Sequence, residues 1–249
     1  MQRDSDHELK LLDNILHGVA ADYTTDKPLT GFLAMIGDKY TGELMVAGRA
    51  VNGWADALTA RDLGDETARS TVTREIYRSV SSGPCPMLWV TNQWRVEKGK
   101  YSTARSQFWR VVRNIVGELR IGAIDQADWP SHLVWSNLYK VSLSRGGNPG
   151  VKLRRAQFAG CLDLLKWELD NYRPRRVLFL TDSNWAEPFL KQLWVRNCKP
   201  SSESLVDNFG TIKSGSGLAA CVVAKHPQSM NESQWARDTL DALDELDRW

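Results

Sequence analysis

Cysteine is scarce and scattered in this chain: Cys85, Cys161, Cys198 and Cys221 are the four in 249 residues, with no Cys-x-x-Cys pair among them. That spacing excludes a zinc ribbon or an iron–sulfur cluster and fits free thiols in a reducing compartment. Long apolar runs are also missing, every one falling far below the roughly 18 residues that a membrane span needs. The opening MQRDSDHELK is charged and lacks the apolar core of a secretory leader. A cytoplasmic protein with no membrane partner is expected. Phosphate-binding loops fail on chemistry. A dinucleotide fingerprint needs glycine where Ala50 stands. A P-loop would fit the Gly48 to Gly53 spacing, but Trp54 and Ala55 replace its lysine and hydroxyl.

What the chain does have is an apolar anchor, Leu44-Met45-Val46-Ala47, which reads as a strand covered on both faces and broken at Gly48. Three further runs read the same way: His132 to Tyr139, Arg176 to Thr181 and Leu218 to Ala224. Helical periodicity covers residues 7–21, 65–80, 102–119 and 151–172, a segment from Trp185 to Trp194, and an acidic last helix capped by Asn231. Ala55 to Ala60 reads as a helix start. Met87 to Thr91 fits a strand or a buried loop equally, and Lys199 to Ser216 reads as a polar loop. Strands alternating with helices predict an α/β fold, a three-layer α/β/α sandwich on a central, mainly parallel four-stranded sheet. A single domain over residues 1–249 is expected, with residues 1–28 as an N-terminal helical extension.

With 42% hydrophobic and 25% charged residues the composition is that of a globular protein. The net charge of +2 hides an uneven distribution. Lys140 to Arg176 holds nine basic residues against three acidic, and Arg95 to Arg120 seven against two. The tail from Asn231 to Trp249 reverses this, with six acidic against two basic. Basic segments apart from an acidic tail suit a polyanion groove, in which Lys140 and Arg145 would meet phosphates. Solvated helix faces explain the same charges equally well.

In a parallel sheet, polar groups at the carboxyl ends of strands lie where ligands bind. Here those ends carry Asn52, Asn137 and His226. Their setting is Val46-Ala47-Gly48-Arg49-Ala50-Val51-Asn52-Gly53, then Leu133-Val134-Trp135-Ser136-Asn137-Leu138, then His226-Pro227-Gln228-Ser229. In that order, with the Arg176–Thr181 strand between the last two, the chain resembles the uracil-DNA glycosylase superfamily over roughly residues 43 to 245. The resemblance implies a monofunctional DNA glycosylase that flips out uracil or a modified pyrimidine, extending to bulky modified cytosines of phage DNA as a defence function. It implies no metal and no organic cofactor, DNA (single- or double-stranded) as partner, and a monomer.

The resemblance assigns His226 to the leaving base and Asn137 to reading its edge. Gly48 and Ala50 shape the base pocket, while Arg49, Lys225 and Ser229 join Lys140 and Arg145 on the DNA. Ala50 stands where the family carries the aspartate or asparagine that orients water, so Asn52 is the substitute and Asp56 its competitor. The last motif reads Pro-Gln-Ser rather than Pro-Ser. A catalytically silent nucleic-acid-binding module of the same fold is the alternative that Ala50 supports.

The chemistry behind these assignments is general. Breaking an N-glycosidic bond passes through an oxocarbenium-like sugar, and a donor aimed at pyrimidine O2 stabilises the departing charge. A flipped base needs an edge reader and an aromatic face, the latter from Trp54, Trp135 or Tyr139. Asn137 offers both donor and acceptor, so it suits uracil in one orientation and cytosine in the other.

Overall fold

The computed structural model describes residues 4–51, 53–54, 58–94 and 101–248. In chain order the helices are α1 (Ser5–Asp22), α2 (Glu66–Ser81), α3 (Trp89–Asn92), α4 (Gln107–Glu118), α5 (Val151–Tyr172), α6 (Ser183–Leu190) and α7 (Glu232–Leu246). The strands are β1 (Leu29–Gly31), β2 (Met35–Ile36), β3 (Leu44–Ala50), β4 (Leu133–Tyr139), β5 (Val141–Leu143), β6 (Arg176–Leu180), β7 (Trp194–Cys198), β8 (Val206–Ser214) and β9 (Gly217–Ala224).

The fold is mixed α/β. Its main sheet has seven strands, in the order β2-β4-β3-β6-β9-β8-β7. All four anticipated strands are in it, as β3, β4, β6 and β9. The anticipated count of four is too low because β2, β7 and β8 extend the sheet. Pairing is parallel between β3 and β6 and between β6 and β9. It is antiparallel between β2 and β4, β8 and β9, and β7 and β8. Val177, Leu178, Phe179 and Leu180 are fully buried, as an apolar central strand requires.

The chain divides into two compact units, each assembled from three separate stretches. The first comprises residues 1–34, 48–82 and 136–172, and the second residues 35–47, 83–135 and 173–249. Strands β3 and β4 each begin in the second unit's sequence and end in the first's.

In the first unit, α1 buries Leu12, Ile15, Leu16 and Val19, and its start is capped by Asp4, which accepts from His7 N. Two glycines let α1 approach α5 closely. A Cβ at Gly18 would meet Ala156 O at 2.8 Å, and one at Gly160 would meet Ile15 Cγ1 at 2.7 Å. Arg69 of α2 donates to Asp13 at 2.9 Å and to Leu63 O at 3.1 Å. Strands β1 and β5 form a separate antiparallel pair. Gln157 of α5 completes β5, accepting from Val141 N at 2.8 Å and donating to Val141 O at 2.7 Å.

In the second unit, a tryptophan cluster fills the core. Trp109 meets Trp135 and Trp89 edge-on at 5.2 and 5.4 Å. Trp135, a stacking candidate by sequence, is therefore a core residue of this unit. Met87 to Thr91 is neither strand nor loop but helical, a turn of 3-10 helix at Pro86–Leu88 leading into α3. The Trp185–Trp194 helix ends early, at Leu190, and Trp194 opens β7. The polar stretch after Lys199 contains β8, whose Gly210 lies so close to β7 that a Cβ would overlap Arg196 O. Helix α4 starts at Gln107 rather than residue 102, after a 3-10 turn at Thr103–Arg105. Ala55 to Asp56 and Ala57 lie outside the described residues, and Leu58 forms a bridge with Leu29. No helix among the described residues is long and apolar enough to cross a membrane.

Candidate functional site

In the first unit, β3 does not break at Gly48. Gly48 is buried within the strand, which continues to Ala50. Strand alternation places Gly48 and Ala50 on one side and Arg49 on the other. Arg49 is half-buried, and burial holds its guanidinium below the ordinary arginine value. Ser142 Oγ then donates to Val51 O. Asn52, like Asp56, lies outside the described residues. Gly53 follows with a φ of 64°, the left-handed turn conformation that glycine adopts without strain.

Trp54 is placed against α2 and the β1 region. Its ring meets Phe32 edge-on at 5.9 Å and its Nε1 donates to Ser79 O at 3.4 Å. It lines a cleft of about 620 Å³ along α2 together with Asp62, Asp65 and Glu75.

Strand β4 sorts its residues by face. Ser136 and Lys140 share one face, Asn137 and Tyr139 the other. Lys140 overturns its assignment to DNA. It is fully buried, and its Nζ donates to Glu168 Oε1 and to Ser136 Oγ, both at 2.7 Å. Ser136 Oγ donates in turn to Glu168 Oε2 at 2.8 Å. An ammonium held this way cannot reach a phosphate. The sequence hid this because Glu168 is 28 residues away.

Asn137 is 3% exposed, and its Nδ2 is buried with no hydrogen-bond partner. Few buried amide groups in folded proteins stay unpaired, and Asn171 Nδ2 is a second such donor. Tyr139 is buried too, and burial pushes its phenol above the ordinary value. Arg145 is exposed, in a turn where Gly146 and Gly147 both have positive φ.

The remaining site residues belong to the second unit. Strand β9 delivers Lys225, half-buried, whose carbonyl accepts from Trp235 Nε1 at 2.7 Å. His226 follows. Its backbone N donates to Asp182 Oδ1 at 3.2 Å, and its Nδ1 accepts from Gln228 N at 3.3 Å. A ring nitrogen that accepts carries no proton, so the neutral imidazole holds its hydrogen on Nε2. Ser229 is exposed with a φ of 65°. Gln107, in the first turn of α4, holds the loop, accepting from Ser229 N and donating to Met230 O at 3.2 Å. His226, Gln228 and Ser229 line an open cleft of about 680 Å³ with Tyr101, Arg105 and Phe108.

Gln107, Asp182 and Tyr101 carry no signal in the sequence that marks them for the surroundings of His226. The exposed ring of Tyr101 could have been found only by knowing that α4 starts beside the His226 loop.

Part of the basic charge is paired internally. Within the second unit, two of the basic residues, Arg110 and Arg176, are paired with acids. Arg110 Nε donates to both Glu232 oxygens, at 3.0 and 3.1 Å. Arg176 is buried and bonds Glu43 at 3.1 Å and Asp247 at 2.6 Å. Among the described residues no group of three or more His, Cys, Asp and Glu side chains could hold a metal ion. The chain matches no protein-family model, and no characterised protein matches its sequence.

Proposed function

We propose that this protein is a monofunctional DNA glycosylase, which excises uracil or a modified pyrimidine by hydrolysing the N-glycosidic bond. The observation that carries the reading is the pinned histidine. His226 lines an open cleft with Nδ1 engaged by the backbone, so that its proton sits on Nε2 as a neutral donor. A fixed donor of this kind stabilises the charge that grows on the oxygen of a departing base.

In this reading His226 donates to the leaving base, Asn137 reads its edge, and Asn52 holds the attacking water. The substrate class extends to bulky modified cytosines of phage DNA, with defence as the role, and the protein works as a cytoplasmic monomer. The fold that goes with it is a three-layer α/β/α sandwich, supported by α6 and α7 each packing on β8 and β9.

The test is direct. The full chain is incubated with end-labelled duplexes and single strands carrying uracil, 5-hydroxymethylcytosine or glucosylated 5-hydroxymethylcytosine, and abasic sites are then cleaved with alkali. Strand scission at one of the altered bases is expected, absent in His226→Ala. DNA binding without any scission would favour the catalytically silent module.

A further inference from the structure

Asp182 occupies a conformation that an aspartate has no local reason to adopt. At the end of β6 it has a φ of 69° and a ψ of 155°, a region populated almost only by glycine. Both of its peptide groups are tied down. Its N–H donates to Ala224 O at 3.0 Å, and its carbonyl accepts from Trp185 N at 3.1 Å and Ala186 N at 3.2 Å. The backbone is therefore fixed by β9 on one side and by the first turn of α6 on the other.

Asp182 is the residue that precedes α6, where an aspartate ordinarily caps the helix with its own carboxylate. Here it does not. Strand β8 takes over that task from outside. Asp207 Oδ2 accepts from Ser183 N at 2.8 Å, and Asn208 Nδ2 donates to Ser183 Oγ at 2.6 Å. With the helix start served by β8, the Asp182 carboxylate turns to the loop after β9 and accepts from His226 N at 3.2 Å.

Glycine would sit in this backbone without strain. What aspartate offers and glycine lacks is an acceptor that reaches the His226 amide. We infer that Asp182 is a positioning residue: its strained backbone and its carboxylate together fix the His226 main chain, while Gln228 N fixes the ring through Nδ1. Two anchors on one residue leave Nε2 with a defined direction, and a donor in catalysis is effective only when its direction is defined beforehand. The step that Asp182 serves rests on the reading of His226 as donor to the leaving base, whereas the anchoring does not.

The experiment compares Asp182→Gly and Asp182→Asn with wild type in the full chain. The readouts are the melting temperature, hydrogen exchange at the His226 amide followed by NMR, and turnover on the uracil and modified-cytosine duplexes. Glycine relieves strain and removes the acceptor. Asp182→Gly is expected to melt about 2–4 °C higher and to exchange the His226 amide roughly tenfold faster. Its kcat should fall by about tenfold to a hundredfold, with KM within about twofold. Asparagine carries the same backbone strain as aspartate and keeps an acceptor oxygen, so Asp182→Asn should keep slow exchange and most of the turnover.

A merely structural aspartate would not give a variant that is more stable and slower at once. Wild-type exchange at His226 in Asp182→Gly would overturn the inference, as would unimpaired turnover or loss of folding in that variant. If the wild-type chain excises no base at all, the glycosylase reading fails. The exchange and melting results then still decide whether Asp182 anchors His226.

Discussion

At the scale of single residues, two basic side chains that look alike in sequence have opposite fates. Lys140 lies in a closed triad with Glu168 and Ser136, and Arg145 points into solvent five residues later. Burying a charge is tolerated only with its partner in place, so removing one member is far more damaging than removing both. Lys140→Met should lower unfolding free energy by about 3–5 kcal/mol, and adding Glu168→Leu should recover most of it. Denaturant titration of the single and double variants checks this, and a mild effect of the single variant would mean the triad is wet. His226 differs again. It is a half-buried loop residue, so His226→Ala should melt near the wild-type temperature, and on the proposed glycosylase reading it should lose about 10²–10³-fold in turnover, the usual loss of one catalytic donor.

At the scale of elements, the tightest constraints lie where two helices meet. Replacing a helical glycine by alanine ordinarily gains about 1 kcal/mol. At Gly18 the new Cβ would stand 2.8 Å from the backbone oxygen of Ala156 in α5, which cannot swing away as a side chain would. Gly18→Ala should therefore destabilise, by about 1–3 kcal/mol, as overpacking does. A stabilised variant in thermal melting would show that α1 shifts freely on α5.

The α4 and α7 pair gives a pH dependence. The hydrogen bond from Arg110, helped by Gln107, holds the Glu232 carboxyl below its ordinary value of 4.5, against the opposing effect of burial. A carboxyl depressed on folding contributes stability above its unfolded value and loses it as pH falls through the folded one. The contact is partly exposed, so its contribution is under about 1 kcal/mol. Unfolding curves between pH 6 and pH 3 should show wild type losing more stability than Glu232→Gln. Parallel curves would mean that the pair is solvated.

At the scale of the whole molecule, three basic residues of the two stretches are committed to internal partners. Arg110 and Arg176 are paired with acids, and Lys140 is buried. Each phosphate contact adds about 0.9 to the salt slope of duplex binding. On the proposed reading of DNA as the partner, Arg145→Ala should reduce the slope of binding by about one unit, uniformly across sequences, and Lys140→Met should leave it unchanged. Affinity measured from 50 to 200 mM salt separates them, and equal slopes for wild type and Arg145→Ala would remove that residue from the DNA.

The elements legible in the sequence are those whose signal is local. The apolar stripe and the flanking Gly150 and Pro174 put α5 at 151–172, where it is found. Asn231 caps α7 by accepting from Gln234 N, as its position before an acidic turn foretells. Strands β3, β4, β6 and β9 show because residues buried on both faces must be continuously apolar. Other features depend on contacts that no local pattern carries. Strand β7 is largely exposed and β8 is half polar, so each exists through its neighbour's backbone rather than through its own hydrophobicity. The burial of Lys140 was settled by Glu168 on a distant helix. The left-handed Asp182 and the Gln107 hold on Ser229 were settled by chain segments meeting more than 40 residues apart. Local periodicity records which face of an element is buried. Which charge finds a partner, and which backbone is strained, is fixed only when those segments pack.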